Sequence, residues 1–255
     1  MTSAPGGMEA VLYRETFEVE ETFWWFVGMR AIVASLLARG PAPPGGGWVL
    51  DAGCGTGGSY QFLSRYGPVA SIDVSEHAIA FSRQRRLPAL LQGSVTALPF
   101  RDGAFGLVAS FDVIDELWPE LDDRAVAEMA RVLRPGGTLL IRVPAYQWLH
   151  SRHDRIARTR RRYTRGEVVE KVRRAGLEVR QATYANSLLL PLAVVRRLLG
   201  KRRTAGKSEL APLPGWLNAV LTATLRLEAP ILKRTSLPAG LSVIVVAGKG
   251  ECPGR

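Results

Sequence analysis

Val49-Leu50-Asp51-Ala52-Gly53-Cys54-Gly55-Thr56-Gly57 is the stretch on which the reading of this chain turns. An apolar run ends on an acidic residue and enters a loop with glycine at every second position. Ser59-Tyr60-Gln61-Phe62-Leu63 follows as a helix-compatible segment. Glycine tolerates positive φ and lets a ligand approach the backbone with no Cβ in the way. The free N–H groups of a helix N-terminus suit a carboxylate or another anionic group. The loop lacks a Gly-Lys-Ser/Thr ending, which argues against a phosphate-cradling P-loop. Gly53-x-Gly55-x-Gly57 also misses the dinucleotide pattern, whose third glycine falls one position later. Gly58 does occupy that later position, so a dinucleotide site is demoted rather than excluded.

Asp51-x-Gly-x-Gly-x-Gly resembles the cofactor loop of class I S-adenosylmethionine-dependent methyltransferases. Asp73 ends the next apolar run, Val69-Ala70-Ser71-Ile72, 22 positions after Asp51. An acidic residue ending a second strand at that distance binds a ribose diol in folds of this kind. The competing reading is that Asp73 caps a helix starting near Ser75.

A chain of 255 residues can hold one α/β domain with an insertion and bury a sizeable core. It has no uninterrupted apolar segment of about 18 residues, the length a spanning helix needs. Met1 to Glu9 lacks the basic-then-apolar order of a secretory signal and reads as a disordered tail. Cys54 and Cys252 are too few for a disulfide framework, so a reducing cytoplasm is expected. The formal charge of +11 fits nucleic acid, an anionic membrane surface, an anionic substrate, or the arginine-rich composition of a high-GC genome.

Apolar runs alternate with helical patterns from Trp48 onward. Strands are expected at Trp48–Asp51, Val69–Asp73, Ala89–Leu91, Gly106–Ser110, Thr138–Val143, Val179–Thr183 and Leu241–Gly248. Helical patterns fall near 30–39, 59–65, 75–86, 122–133 and 166–175, and Pro135-Gly136-Gly137 reads as a sharp stop before the fifth strand. The alternation predicts an α/β, Rossmann-like, seven-stranded and mostly parallel sheet with helices on both faces.

Leu98-Pro99-Phe100, Phe105-Gly106-Leu107-Val108 and Glu128 to Gly137 are similar to successive landmarks of the small-molecule methyltransferases labelled type 11 or type 12. The likeness runs in order over about residues 20–185. It implies four segments: a tail and cap helices at 1–47, the cofactor-binding core at 48–185, a helical insertion at 186–240 and a last core strand and tail at 241–255. The insertion carries Leu188 to Val195, then Arg196-Arg197, a polar linker from Gly200 to Glu209, and a second apolar helix from about Pro214 to Leu232. It is either a cap burying its own apolar faces or a surface that meets lipid or an apolar substrate. Phe23-Trp24-Trp25-Phe26 and Arg161-Arg162-Tyr163-Thr164 resemble segments of a subset of the family with a similar insertion.

The resemblance implies S-adenosyl-L-methionine as cofactor and carries site residues with it. Gly53, Cys54, Gly55 and Gly57 would border its methionine part, and Asp51 would orient the loop or accept from its ammonium. Asp73, with Val74 beside it, would take the ribose, and Ser94 and Val95 the adenine. Many relatives place an aspartate where this chain has Ser94. Trp25 would cover the sulfonium or adenine, Arg30 would fork onto the carboxylate, and Phe111 would line the pocket near the methyl. Relatives often read Glu-His where Asp115-Glu116 stands, so Glu116 is a candidate base in place of a histidine. His153 is the other candidate for acid–base work. His150, His153 and Asp154 offer metal-ligand types without a metal-site spacing, so no metal is expected.

Residues 152–174 hold ten basic side chains against three acidic ones, a bias that points to an anionic group on the acceptor. Arg161, Arg162, Tyr163 and Tyr146 are the implied substrate contacts. A single aromatic in that run, and no Asn-Pro-Pro-Tyr-like signature after the fourth strand, argue against nucleic acid. The expected function is methyl transfer to a small-molecule or lipid-linked, anionic acceptor, in the cytoplasm or at the inner face of a membrane. The alternatives are a non-catalytic protein of this fold that docks on an anionic membrane or partner, and a nucleic-acid methyltransferase.

Overall fold

The computed structural model describes residues 10–39, 47–150, 154, 158–199, 210–211 and 213–250. The expected tail at Met1–Glu9 and the linker at Gly200–Glu209 lie outside these residues. Seven strands form one sheet: β1 Trp48–Ala52, β2 Val69–Asp73, β3 Leu90–Gln92, β4 Phe105–Phe111, β5 Leu133–Pro144, β6 Glu178–Ala185 and β7 Ser242–Gly248. Their order is β3-β2-β1-β4-β5-β7-β6. Pairings among β1 to β5 are parallel, and β7 runs antiparallel between β5 and β6. This is the mostly parallel sheet that the alternation predicts.

Eight helices accompany it among the described residues: α1 Ala10–Val19, α2 Trp24–Leu37, α3 Tyr60–Leu63, α4 Glu76–Gln84, α5 Pro119–Val132, α6 Arg165–Arg174, α7 Leu190–Leu199 and α8 Gly215–Leu232. Successive strand residues point to opposite faces, and both faces are apolar. Leu50, Val108, Leu139 and Val245 pack with Met129 of α5 and Val172 of α6. Val49, Leu107, Leu140 and Ile244 pack with Met29 and Ile32 of α2 and Leu225 and Leu232 of α8. The insertion therefore buries one side of α8 against the sheet's second layer.

Local signals start and stop the helices. Pro119 sits in the first turn of α5 with Glu120 and Asp122, where a missing N–H costs nothing and acidic side chains meet the helix dipole. Thr164 and Glu167 form a reciprocal capping box on α6. Lys249 closes α5 at its other end, its Nζ donating to the carbonyls of Ala130 (2.8 Å), Arg131 (3.3 Å) and Leu133 (2.8 Å).

Pro135-Gly136-Gly137 is not a stop. β5 begins at Leu133 and runs through these residues as an irregularity: Phe105 of β4 faces Leu133, whereas Leu107 faces Thr138. Gly136 takes a positive φ of 72°, and its N–H is satisfied by the carbonyl of Lys249 at 2.9 Å. Neighbouring-strand pairing overrides the turn propensity. α2 also starts earlier than the expected residue 30, at Trp24, and α1 lies within the segment expected to hold a tail and cap helices, although no helical pattern was placed at its residues.

The order of strands reverses between β1 and β4, so the crevice beyond their carboxyl ends is the natural ligand site of such a sheet. The glycine loop and Phe111-Asp112 lie there.

Candidate active site

The glycines do three different things. Gly53, Gly55 and Gly57 have φ of 88°, 54° and 85°, a region that costs other residues strain. A Cβ on Gly53 would run into the isopropyl group of Val113, and one on Gly57 into Leu87. A Cβ on Gly55 would meet nothing within 4 Å, so the loop is open to a ligand at this one position. Asp73 pins the loop from below, its Oδ2 accepting from the Gly55 N–H at 2.9 Å and its Oδ1 from the Ser75 N–H at 2.9 Å. Both readings of Asp73 thus have structural content: it supports the entry to α4 while facing the loop.

Asp51 is the electrostatic anomaly. It is buried at the end of β1, and among the described residues neither carboxylate oxygen finds a hydrogen-bond partner. Burial, then the negative charges of Asp73 and Glu20, push its carboxyl up to about 7. An orphaned, buried acid beside an open cradle fits a cationic ammonium group. Cys54 is buried next to it, and burial pushes its thiol well above the usual range, so it is not a nucleophile.

The turn between α1 and α2 forms a roof over the loop. Glu20 is buried, accepts from Thr56 Oγ1 at 2.6 Å and pairs with Arg85 at 2.8 Å. Arg85 also donates to the Thr56 carbonyl (2.9 Å) and the Phe17 carbonyl (3.1 Å), and it pairs with Glu21. Arg30 donates to the carbonyls of Glu20 (3.0 Å) and Glu21 (3.2 Å). Burial raises the Glu20 carboxyl despite Thr56 and Arg85.

Gly58 is what admits this roof, since a Cβ there would overlap the Glu20 carboxylate. Gly58→Ala is expected to push Glu20 off Thr56 and Arg85 and to cost about 1–3 kcal/mol. The melting temperature should fall by several degrees; an unchanged value would show that Glu20 moves aside freely.

The opposite wall is built on an arginine that sequence reasoning missed. Arg142 is buried near the end of β5, with its guanidinium 4.6 Å from the Trp25 ring centroid and 5.0 Å from that of Phe111. It donates to Asp112 Oδ2 from Nε (3.0 Å) and Nη2 (2.5 Å). Asp112 adopts φ 55° to bring its carboxylate back over the strand end. The available signal was the lone charge inside Leu139-Leu140-Ile141-Arg142-Val143, because arginine is almost never buried without a partner.

Asp115 is buried too. Its Oδ2 accepts from Thr159 Oγ1 at 3.2 Å, and among the described residues Oδ1 has no partner. Burial, then Asp112, push this carboxyl up to about 8. Glu116, next to it, is half-buried. His153 lies outside the described residues, while His150 Nε2 sits 3.1 Å from the Thr159 carbonyl.

The arginine run is largely committed within the protein. Arg162 pairs with buried Asp154 at 2.8 Å and donates to the Ala145 carbonyl at 3.1 Å. Arg161 pairs with Glu167 at 2.5 Å and lies over the Tyr163 ring. Tyr163 turns into the core, where its hydroxyl donates to Asp122 Oδ2 at 2.8 Å. Tyr146, with φ 59°, instead stacks on Tyr184 (5.0 Å) and Trp148 (5.8 Å).

Parallel register brings Asp51, the glycine loop, Asp73, Val74, Ser94 and Val95 to one end of β1, β2 and β3. Ser94 Oγ is 2.8 Å from Thr96 Oγ1 and accepts from the Thr96 N–H at 3.2 Å, and Val95 is buried. Trp25, Arg142 and Phe111 stand together on the other side of the crevice. Tyr163 is directed away from it.

Residues 50–141 match the family model described as a methyltransferase domain. A protein of Mycobacterium tuberculosis named a probable S-adenosylmethionine-dependent methyltransferase is 30% identical over 146 residues, covering 56% of this chain and 51% of the relative. A phthiotriol/phenolphthiotriol dimycocerosates methyltransferase of the same species is 37% identical over 99 residues, 36% of each chain. The chain thus spans about half the length, or less, of these curated relatives. Among solved structures, the [4+2]-cyclase SpnF superposes with a TM-score of 0.60 at 19% identity, covering 95% of this chain and 93% of the other. That likeness concerns the fold alone, but the domain match and the named relatives agree with the strand order and the loop: residues 50–141 carry a methyltransferase domain similar to those of S-adenosylmethionine-dependent methyltransferases.

Proposed function

We propose that this protein transfers a methyl group from S-adenosyl-L-methionine to a small-molecule or lipid-linked acceptor bearing an anionic group. The observation that carries the first half is Asp51: a buried carboxyl with no partner among the described residues, next to the one loop glycine that faces open space. Asp51 would accept from the cofactor's ammonium, and Gly53, Cys54, Gly55 and Gly57 would border its methionine part. Asp73 and Val74 would hold the ribose, and Ser94 and Val95 the adenine. Trp25 and Phe111 would cover the sulfur, with Arg30 available to the carboxylate.

When bound, the sulfonium supplies an already activated methyl, so the protein's task is alignment and exclusion of water. Arg142, between Trp25 and Phe111, supports the wall against which the acceptor would lie. Glu116 and His153 remain the candidate bases. Tyr146 would meet the acceptor, with Arg161 and Arg162 behind it, whereas Tyr163, turned into the core, would not. The acceptor named by one mycobacterial relative favours a lipid-linked acceptor, and the excess of basic over acidic side chains at 152–174 favours an anionic group on it.

Titration calorimetry with S-adenosylmethionine tests the reading. The wild-type protein should bind at micromolar levels, and Asp73→Ala should weaken binding at least tenfold, since it frees the Gly55 N–H as well as removing a ribose acceptor. No heat at millimolar cofactor would end the proposal. Tight binding with no methyl transfer to any acceptor would favour the non-catalytic alternative, since one fold can host unrelated functions.

A further inference from the structure

We infer that α8 is a docking helix for an anionic phospholipid surface, lying in the plane of the interface. This stands apart from the reading of the cofactor site and is tested without it.

The helix is apolar on two sides. Leu225, Glu228 and Leu232 face inward and are buried, with Glu228 accepting from the Leu188 N–H at 2.7 Å. On the opposite side Trp216, Val220, Ala223, Leu227 and Ile231 follow one another at helical spacing, all exposed. Trp216 is 70% and Leu227 63% exposed, values that leave most of each side chain in water. The stripe is about 22 Å long at 1.5 Å per residue. Leu188, Leu192 and Val195, just before and within α7, are also exposed. Seven of the eleven exposed large hydrophobics among the described residues fall in this one insertion, so the exposure is not the scatter of an ordinary surface.

Charge selects the occupant. The outward side of α8 carries no acid, since Glu228, its sole acidic residue, is turned inward. Arg226 and Lys233 line one flank of the stripe, and Arg234 lies just past its end. On that flank a groove of about 720 Å³ between α2, α3 and α8 is lined by Arg30, Arg65, Arg85 and Arg226 against Glu21. An apolar stripe with a tryptophan and a basic flank is the arrangement that partitions into the headgroup region of anionic bilayers. A second copy docked stripe to stripe with the helices antiparallel would bring the two basic flanks together, which disfavours that dimer. No described helix is long and apolar enough to cross a membrane, so the contact is peripheral.

The test is flotation of the full chain with vesicles of phosphatidylcholine alone and of phosphatidylcholine mixed with phosphatidylglycerol. Binding is expected to the mixed vesicles only, and to fall with salt. Leu227→Glu should lower the partition coefficient at least tenfold, and Arg226→Glu about fivefold or more, given about 1 kcal/mol per basic residue at such a surface. Circular dichroism and melting temperature serve as folding controls. Should Leu227→Glu fail to fold, brominated-lipid quenching of tryptophan fluorescence decides instead: it must occur in the wild type and shrink in Trp216→Phe. Absence of binding to mixed vesicles, equal binding by Leu227→Glu, quenching unchanged in Trp216→Phe, or a dimer split by Leu227→Glu without vesicle binding would overturn the inference.

Discussion

Asp51→Asn is expected to stabilise the cofactor-free protein at neutral pH and, at the same time, to weaken S-adenosylmethionine binding about a hundredfold. The two effects have one origin. Holding a carboxyl at about 7 in the folded state, against 3.8 when exposed, costs about 4 kcal/mol once the pH is above both values. The folded-state value is raised, so no cost exists below pH 4. It grows as the pH rises from about 4 to about 7, and the free protein should lose stability through that window. Asparagine removes the titration but remains a buried polar group, so about 1–3 kcal/mol should be recovered. In the proposed reading, bound cofactor would offset the cost through its ammonium, for which a neutral amide is a weaker partner than a carboxylate. Urea unfolding at pH 4.5 and pH 8, with calorimetry at pH 8, checks both halves. A stability difference that ignores pH would mean that Asp51 is not an orphaned acid.

Lys171→Met should be the most damaging substitution far from the crevice, costing about 3–5 kcal/mol and about 10 °C in melting temperature. Lys171 is buried, with Nζ 2.7 Å from Asp122 Oδ1 and 3.1 Å from Asp123 Oδ1. Asp122 is fully buried in the first turn of α5, and its other oxygen accepts from Tyr163. Removing the ammonium leaves a carboxylate in the core with a phenol as its remaining side-chain partner. Lys171→Met combined with Asp122→Leu should recover much of the loss, because the charge and its counter-charge leave together. The Tyr163 hydroxyl would keep the Ile114 carbonyl, at 3.2 Å. A double variant as unstable as the single one would refute this account.

The parts of this protein that were legible in its sequence are those set by local rules. Strands β1, β2, β4 and β7 are runs of apolar residues buried on both faces, and the loop glycines are demanded by positive φ at Gly53, Gly55 and Gly57. What escaped depends on distant partners. Glu20 reads as one of several acids in Glu18-Val19-Glu20-Glu21, and only Gly58, Thr56 and Arg85 make it a roof. Pro135-Gly136-Gly137 reads as a break until Lys249 supplies the acceptor that lets β5 continue. Tyr163 reads as a substrate contact among arginines, yet Asp122, itself held by Lys171, draws it inward. Sequence can place a side chain on an element, but which way it turns is settled by what waits on the other side.

The position of β7 has a consequence for how the chain is made. It is the seventh strand in sequence but lies between β5 and β6 in space, and among the described strands it is the only one that pairs with β6. During synthesis β5 and β6 emerge with open edges, and the apolar helices of the insertion follow before Ser242 to Gly248 appears. For that interval the nascent protein displays unpaired strand edges and an apolar helix together, the combination most prone to sticking to other chains. The last strand is therefore a closing wedge: a ribosome stalled before it would hold a chain whose first five strands are ready and whose sheet is not.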